Sequence, residues 1–369
     1  MLTLSREGTD PSAAPPIGPV DGPRDLPHLC LLGPNLGRHP GWVTTQGEIV
    51  TDLLRRDGYT VASASSSLSP VGRLTDMLRC LWRGRRDIDV VVLSVFSGRA
   101  LVTADVVSLA AHRLGLPQIH VLHGGRLPNE TPARARRVLG RAARVVAPSE
   151  FLGRWARGLG IGERVQVVPN VVDLGEIDYR PRRSLEPRLL WMRTFHETYH
   201  PELALETLAR LRNGGVDAGL TMAGQDKGLL EPTRRRVQEL GLAEHVAFPG
   251  FLGPAEKRRE LSRHDLFLNT NRNDNTPVSV IEALAAGLPL VATRVGGVPD
   301  LVTDGENALL VPDDDAEAMA AAVGRLLDDP DLAESLSTAG RRRAEECAWG
   351  TVRVTWGDLF EALRRRHSP

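Results

Sequence analysis

From His28 onward the chain alternates short apolar runs with segments whose apolar residues recur every three to four positions. The apolar runs 29–32, 60–63, 90–95, 118–122, 145–147 and 165–168 predict strands. Periodic segments at 46–56, 73–83, 104–114, 132–140 and 150–159 predict the helices between them. The alternation then repeats. Strands are expected at 188–191, 219–223, 246–248, 266–269, 289–293 and 308–311. Helices are expected at 200–212, 231–240, 256–262, 278–286, 316–327 and 332–347. Continuous apolar strands separated by helices indicate parallel sheets covered on both faces. The fold class is therefore α/β, with two Rossmann-like doubly wound domains at 28–179 and 188–350. Segment 180–187, with two prolines and four charges, reads as their linker. Two such domains place a cleft between the carboxyl ends of their strands.

Composition adds limits. A length of 369 residues suits two domains at about 150 residues each. With 41% hydrophobic residues and 46 basic against 46 acidic side chains, it is not histone-like, collagen-like or wholly disordered. Residues 1–27 hold six prolines between Pro11 and Pro27 and read as a disordered tail, not a signal peptide. No apolar run approaches the roughly 20 residues of a membrane span. Cys30, Cys80 and Cys347 form no CxxC pair, so a reducing, cytoplasmic compartment is expected. The zero net charge conceals a split: residues 1–185 carry 24 basic against 17 acidic side chains, and 186–369 carry 22 against 29. The basic half is entirely arginine, since the two lysines are Lys227 and Lys257. Such asymmetry points to an anionic partner of the first domain or to arginine-rich solvated faces. Segment 73–86 carries five arginines with Leu74, Met77, Leu78, Leu81 and Trp82 at helical spacing. It reads either as a basic amphipathic helix on anionic lipid or as a helix whose apolar stripe packs on the sheet.

Several chemistries are absent. The first loop reads Gly33-Pro34-Asn35-Leu36-Gly37-Arg38, not a dinucleotide fingerprint, and no Gly-Lys-Ser/Thr phosphate loop follows. There is no His-Glu-x-x-His, Asp-x-Asp or Gly-x-Ser-x-Gly motif, and the aspartates 313–315 read as a helix N-cap. No metal, cofactor or nucleic-acid partner is expected.

The chemistry concentrates in 269–300. Thr276 is expected to cap a helix, with Pro277 in its first position and Gly287 ending it. Ser279 and Glu282, three apart, share one face, and Asp274 sits just outside the N-terminus. Free amides and a positive dipole end beside two carboxylates suit a ligand with a phosphate and several hydroxyls. A capped helix packing one sheet face fits the same spacing equally well.

Asp274-x7-Glu282 followed by Ala-Leu-Ala-Ala-Gly-Leu-Pro-Leu-Val-Ala-Thr resembles the Glu-x7-Glu signature of retaining GT-B glycosyltransferases of family GT4. The likeness runs along nearly the whole chain. It takes in His123-Gly124-Gly125, Ala147-Pro148-Ser149, the Pro169-Asn170 segment, Trp191-Met192-Arg193, Met222-Ala223-Gly224, the element ending in Pro249-Gly250, and Gly296-Gly297-Val298-Pro299-Asp300. It departs in four places. Asp274 replaces Glu, and Asn275-Thr276-Pro277 replaces the aromatic-Gly that usually follows. Thr198, Tyr199 and His200 stand where a lysine follows the arginine by about five residues. The first loop reads Gly41-Trp42-Val43-Thr44-Thr45 in place of paired glycines.

The resemblance implies metal-independent, retaining transfer of a sugar from a nucleoside-diphosphate sugar to a glycan, lipid-linked or small-molecule acceptor. It implies catalytic roles for His123, Arg193, Asp274 and Glu282. Glu282 would hold ribose hydroxyls and Asp274 the donor sugar. Asn275, Thr276, Pro277, Val278 and Ser279 would lie along the donor, Arg193 would take the diphosphate, and the base would lie on Gly250. Gly41, Thr44 and Thr45 would offer amides to a phosphate or acceptor. The tail 351–369 would cross back to the first domain. The basic first domain adds the expectation of peripheral contact at the inner membrane face. A catalytically weak GT-B module binding a glycan, and a sugar-nucleotide epimerase, are the rival readings.

Overall fold

The computed structural model describes residues 26–37, 39 and 41–364. The expected N-terminal tail, apart from Leu26 and Pro27, and the last five residues lie outside the described residues. The first half runs β1 (Leu29–Leu32), α1 (Gln46–Arg56), β2 (Val61–Ala64), α2 (Pro70–Gly84), β3 (Val90–Val95), α3 (Arg99–Arg113), β4 (Gln118–Leu122), α4 (Pro132–Leu139), β5 (Arg144–Ala147), α5 (Glu150–Ala156) and β6 (Val165–Val167). Its parallel sheet has the order β2-β1-β3-β4-β5-β6. The second half runs β7 (Arg188–Met192), α6 (Pro201–Asn213), β8 (Gly219–Ala223), α7 (Leu230–Glu239), β9 (Val246–Gly250), α8 (Pro254–Arg263), β10 (Leu266–Asn269), α9 (Val278–Ala285), β11 (Leu290–Thr293), α10 (Val298–Leu301) and β12 (Leu309–Val311). Helices α11 (Ala316–Asp328), α12 (Pro330–Glu346) and α13 (Trp349–Leu363) follow. Its sheet order is β12-β11-β10-β7-β8-β9.

Strand order reverses between β1 and β3 in the first sheet, and between β7 and β10 in the second. At such switch points the loops diverge to opposite faces and leave a crevice at the carboxyl ends. Each sheet has two covered faces. Helices α2 to α5 bury Met77, Leu81, Leu101, Val107, Val138 and Leu152 on one face of the first sheet. The other face is shared by α1 and the returning α13, through Leu54, Trp349, Trp356 and Phe360.

Several boundaries differ from the sequence pattern, for local reasons. Helices α2 and α3 start earlier than expected because their first turns face water, with Val71 71% and Val102 48% exposed, and so carry no apolar period. Regular α5 ends at Ala156 and an irregular turn passes through Gly160. The four-residue α10 is too short to show a period.

The segment expected as the linker is anchored to the second domain by Arg182, which is 1% exposed. Its guanidinium donates to the carbonyls of Arg180, Leu261, His264 and Ala286. The last three lie at the C-terminal ends of α8 and α9, where carbonyls lack helical partners and a cation is favoured.

Candidate active site

The switch point of the second sheet supplies the charged wall of the cleft. Arg193 follows β7 and Asp274 follows β10, the two strands between which the order reverses. The Arg193 guanidinium donates to the Asp274 carboxylate and, at 3.2 Å, to Ser279 Oγ. Asp274 also accepts from Asn271 Nδ2 at 2.6 Å and from the Asn275 amide at 2.7 Å. Both partners of the ion pair are largely buried, with side chains 12% and 14% exposed. A close approach fixes the arginine's backbone. A Cβ on Gly224 would sit 1.8 Å from the Arg193 carbonyl oxygen, so only glycine lets the ends of β7 and β8 meet there.

Helix α9 carries Glu282 one turn beyond Ser279. Its carboxylate is 13% exposed and pairs with Lys257 of α8. Gly250 ends β9 at φ +84°, with open space where a side chain would point. Pro277 and Val278 form the start of α9.

The first domain supplies the opposite wall. His123 lies just past β4, its amide bonded to the Val95 carbonyl at 2.9 Å and its ring stacked on Phe96 with centroids 4.7 Å apart. Burial pushes its pKa down to about 4, so the ring is neutral at physiological pH. With Gly33, Gln46, Gly47, Ser94 and Asn170 it lines a crevice at the carboxyl edge of the sheet. Gly125 follows. A Cβ there would lie 2.0 Å from Asn273 Oδ1 and 3.0 Å from the Asp274 carbonyl oxygen, so the bare glycine lets the acidic loop of the second domain close onto the first.

Two sequence expectations change. Thr276 does not cap α9; Pro277 holds that position and makes no side-chain cap. The Thr276 hydroxyl donates across the cleft to the Pro148 carbonyl at 2.9 Å. Asn170 Nδ2 donates to the Thr276 carbonyl at 2.8 Å, and Ser149 bonds Asn275. The expected cap Thr276 thus serves as a clasp between domains. In the first loop, Thr45 caps α1. Its amide donates to Glu48 at 2.8 Å and its hydroxyl to the Pro34 carbonyl at 3.1 Å. The Glu48 carboxylate also takes the Gly37 amide at 3.0 Å. The amide expected for a phosphate thus already faces a buried carboxylate, while Thr44 is exposed and Gly41 turns at φ +79°. This loop reaches the second domain through Trp42, whose ring lies 4.7 Å from Lys227 Nζ.

Buried polar atoms without a protein partner gather at this cleft. They include Arg193 Nε, His123 Nε2, Asn271 Oδ1 and Asn273 Oδ1. Such orphans are rare in folded interiors, and a cluster of them on both walls is the mark of a polar ligand's place. Among the described residues no three His, Cys, Asp or Glu side chains converge as a metal site.

Comparison with known proteins fits this geometry. Residues 42–176 match the model of Glycosyltransferase Family 4, and residues 180–343 match that of Glycosyl transferases group 1. The chain belongs to the GT4-type glycosyltransferases of GT-B fold. It is 32% identical over 171 residues to the GDP-mannose-dependent alpha-(1-6)-phosphatidylinositol monomannoside mannosyltransferase of Mycolicibacterium smegmatis, covering 44% of each chain. It is 25% identical over 294 residues to the D-inositol 3-phosphate glycosyltransferase of Streptomyces scabiei, covering 70% of this chain and 66% of that one. The chain thus spans less than two thirds of the length of these relatives. The fold is that of Anabaena Alr3699/HepE, solved with UDP and glucose, at a TM-score of 0.72, 15% identity and coverage of 91% and 99%.

In this GT4-type chain, sequence reading missed Asn271, Asn273, Lys257 and Tyr199 as site residues. The asparagines alternate with Asn269 and Asn275 along 269–275, a polar run after an apolar strand that was available as a signal. Nothing in the sequence links Lys257 to Glu282, because 25 residues separate them and only the fold brings α8 beside α9.

Proposed function

We propose that the protein transfers a sugar from a nucleoside-diphosphate sugar to an acceptor hydroxyl, with retention of anomeric configuration and without a metal ion. The observation that carries this reading is the cluster of orphaned donors and acceptors around the Arg193–Asp274 pair, at the switch point of the second sheet. On donor binding, the diphosphate takes the guanidinium of Arg193, whose planar fork matches phosphate oxygens. Asp274, released from that pair, accepts from sugar hydroxyls, and Glu282 accepts from the ribose. Neutral His123 faces the sugar from the other domain as a hydrogen-bond partner. The anomeric bond to the diphosphate breaks as the acceptor oxygen bonds to the same face, and the acceptor's proton passes to the departing phosphate oxygen. The positive charge of Arg193 replaces a metal's role at the leaving group. The Mycolicibacterium relative is named for GDP-mannose and the Anabaena structure holds UDP, so the donor panel must include both bases.

The acceptor is a glycan, a lipid-linked molecule or a small molecule. Peripheral membrane contact is supported by the outer faces of α2 and α3. These expose Val71, Trp82, Val102 and Val106 among Arg79, Arg83, Arg86 and Arg99. Of the apolar stripe counted from the sequence it is Trp82 that reaches that surface, because Met77 and Leu81 are buried and Leu74 packs on the core. No helix among the described residues is long and apolar enough to cross a membrane. Placement in a reducing cytoplasm rests on the cysteine spacing, which holds no CxxC pair. Co-sedimentation with phosphatidylglycerol but not phosphatidylcholine vesicles is expected, and equal recovery with both removes the membrane contact.

The decisive experiment mixes the protein with UDP-, GDP- and ADP-sugars. Thermal stabilisation by one donor and acceptor-dependent release of its nucleotide are expected. No shift and no release with any donor sinks the enzyme reading, and sugar turnover without acceptor identifies an epimerase.

A further inference from the structure

The resemblance calls for a second cation about five residues after Arg193, and none stands there. The structure puts an aromatic ring at the place where that charge is missing. Arg193 Cζ lies 4.1 Å above the centroid of the Tyr199 ring. The backbone that carries the ring is tethered: the Tyr199 carbonyl accepts the Thr270 hydroxyl at 2.7 Å, and the Thr270 hydroxyl oxygen accepts from Trp191 Nε1 at 2.8 Å. Trp191 is wholly buried in the core. His196 meets the ring from its edge at 6.4 Å. A left-handed residue, His200 at φ 44°, then turns the chain into α6.

The consequence lies in orientation. Ser279 and Asp274 hold two edges of the Arg193 guanidinium and Tyr199 covers one face, while Nε stays buried and unpartnered. A guanidinium stacked on a ring keeps its plane while its edges remain free to exchange partners. When Asp274 turns to a sugar, the ring still fixes the plane in which Arg193 meets the phosphates.

We propose that Tyr199 is a positioning residue for the leaving group: it acts through Arg193 and replaces a second positive charge by preorganising the first. The proposal rests on the glycosyltransferase reading above. It implies that this chain grips a diphosphate with one oriented arginine, and that the ring of Tyr199 matters while its hydroxyl does not.

The test measures binding of UDP, GDP and ADP, and of the parent nucleosides, by calorimetry on Tyr199→Phe, Tyr199→Ala, Arg193→Ala and the double variant Arg193→Ala/Tyr199→Ala. Tyr199→Phe is expected to match the wild type. Tyr199→Ala is expected to weaken the preferred diphosphate by about 10-fold and to lower kcat more than it raises KM. Its affinity for the nucleoside is expected to stay unchanged, which a general structural defect would not permit. In the Arg193→Ala background, the second substitution is expected to add nothing. The proposal falls if nucleoside and diphosphate weaken equally, if Tyr199→Phe loses as much as Tyr199→Ala, or if the two losses simply add. If the wild type binds no nucleotide, the glycosyltransferase reading fails first and takes this inference with it.

Discussion

At the scale of single residues, the site is organised by charges that hold one another until a ligand arrives. Glu282 and Lys257 form one pair, Arg193 and Asp274 the other. Removing Arg193 or Asp274 strands its partner in a largely buried position, so either substitution has a cost beyond its contact with the ligand, whereas Lys257, 35% exposed, is left beside water when Glu282 is removed. Glu282→Ala is expected to weaken nucleotide binding by on the order of 100-fold, since a charged hydrogen bond is worth about 1.5–3 kcal/mol. Calorimetry checks this, and unchanged affinity removes Glu282 from the site. Four buried histidines, His120, His123, His200 and His264, are held below the ordinary range chiefly by burial, and the first two shift most. Burial, with Arg141 nearby, pushes His120 down to about 3, and burial alone pushes His123 to about 4. Unfolded, both bind protons near pH 6.5; folded, they do not. Stability is therefore complete above about pH 6.5 and declines as pH falls towards 4, by up to about 1.4 kcal/mol per pH unit for each histidine. Urea unfolding at pH 7 and pH 5 tests it, with His120→Gln expected to flatten the slope.

At the scale of elements, strands were legible because both faces of each sheet are covered. β3 and β10 are apolar along almost their whole length, a pattern that burial on both sides requires. Helix beginnings were less legible wherever the first turn faces water, as at Pro70 and Arg99. Helix α13 shows the tertiary part of the problem. The resemblance implies that this tail crosses back to the first domain, but only the fold supplies the partners: Trp356 stacks on Phe360 at 5.6 Å, Phe360 meets Tyr59 edge-on at 5.8 Å, and Trp349 Nε1 donates to Asp57 at 2.9 Å. The helix seals a face of the first sheet that α1 alone leaves open. Trp356→Ala is expected to destabilise the protein by about 3–5 kcal/mol, the range for emptying a buried aromatic site. A urea midpoint within error of the wild type contradicts that packing role.

At the scale of the whole molecule, the two domains are clasped. Thr276 to Pro148, Asn170 to Thr276, Ser149 to Asn275 and the Phe151 amide to Asp300 all join the rim of the first sheet to that of the second. These bonds lie beside the Arg193–Asp274 pair, so in the proposed reaction closure and ligand enclosure would be one event that keeps water from the sugar. Each clasp is worth about 1 kcal/mol. Thr276→Val with Asn170→Ala is expected to enlarge the radius of gyration of the ligand-free protein in small-angle scattering, and the preferred nucleotide sugar to restore it. An unchanged radius means that closure does not depend on these bonds.

The sequence by itself determined the two doubly wound domains, the cleft between them and the acidic loop after β10, with Arg193 singled out through the family resemblance. Those features arise from apolar periodicity and from motifs confined to a few neighbouring residues, which a linear reading captures. Only the tertiary structure decided that Thr276 clasps instead of capping, that Arg182 is buried under helix ends, that Glu48 seals the first loop, and that Tyr199 backs Arg193. Each of these depends on what distant segments place opposite a side chain. The charge split has the same lesson. The negative second domain holds its candidate phosphate site through one arginine fixed in place by its neighbours, and that local arrangement exists only once β7, β10 and α9 have come together.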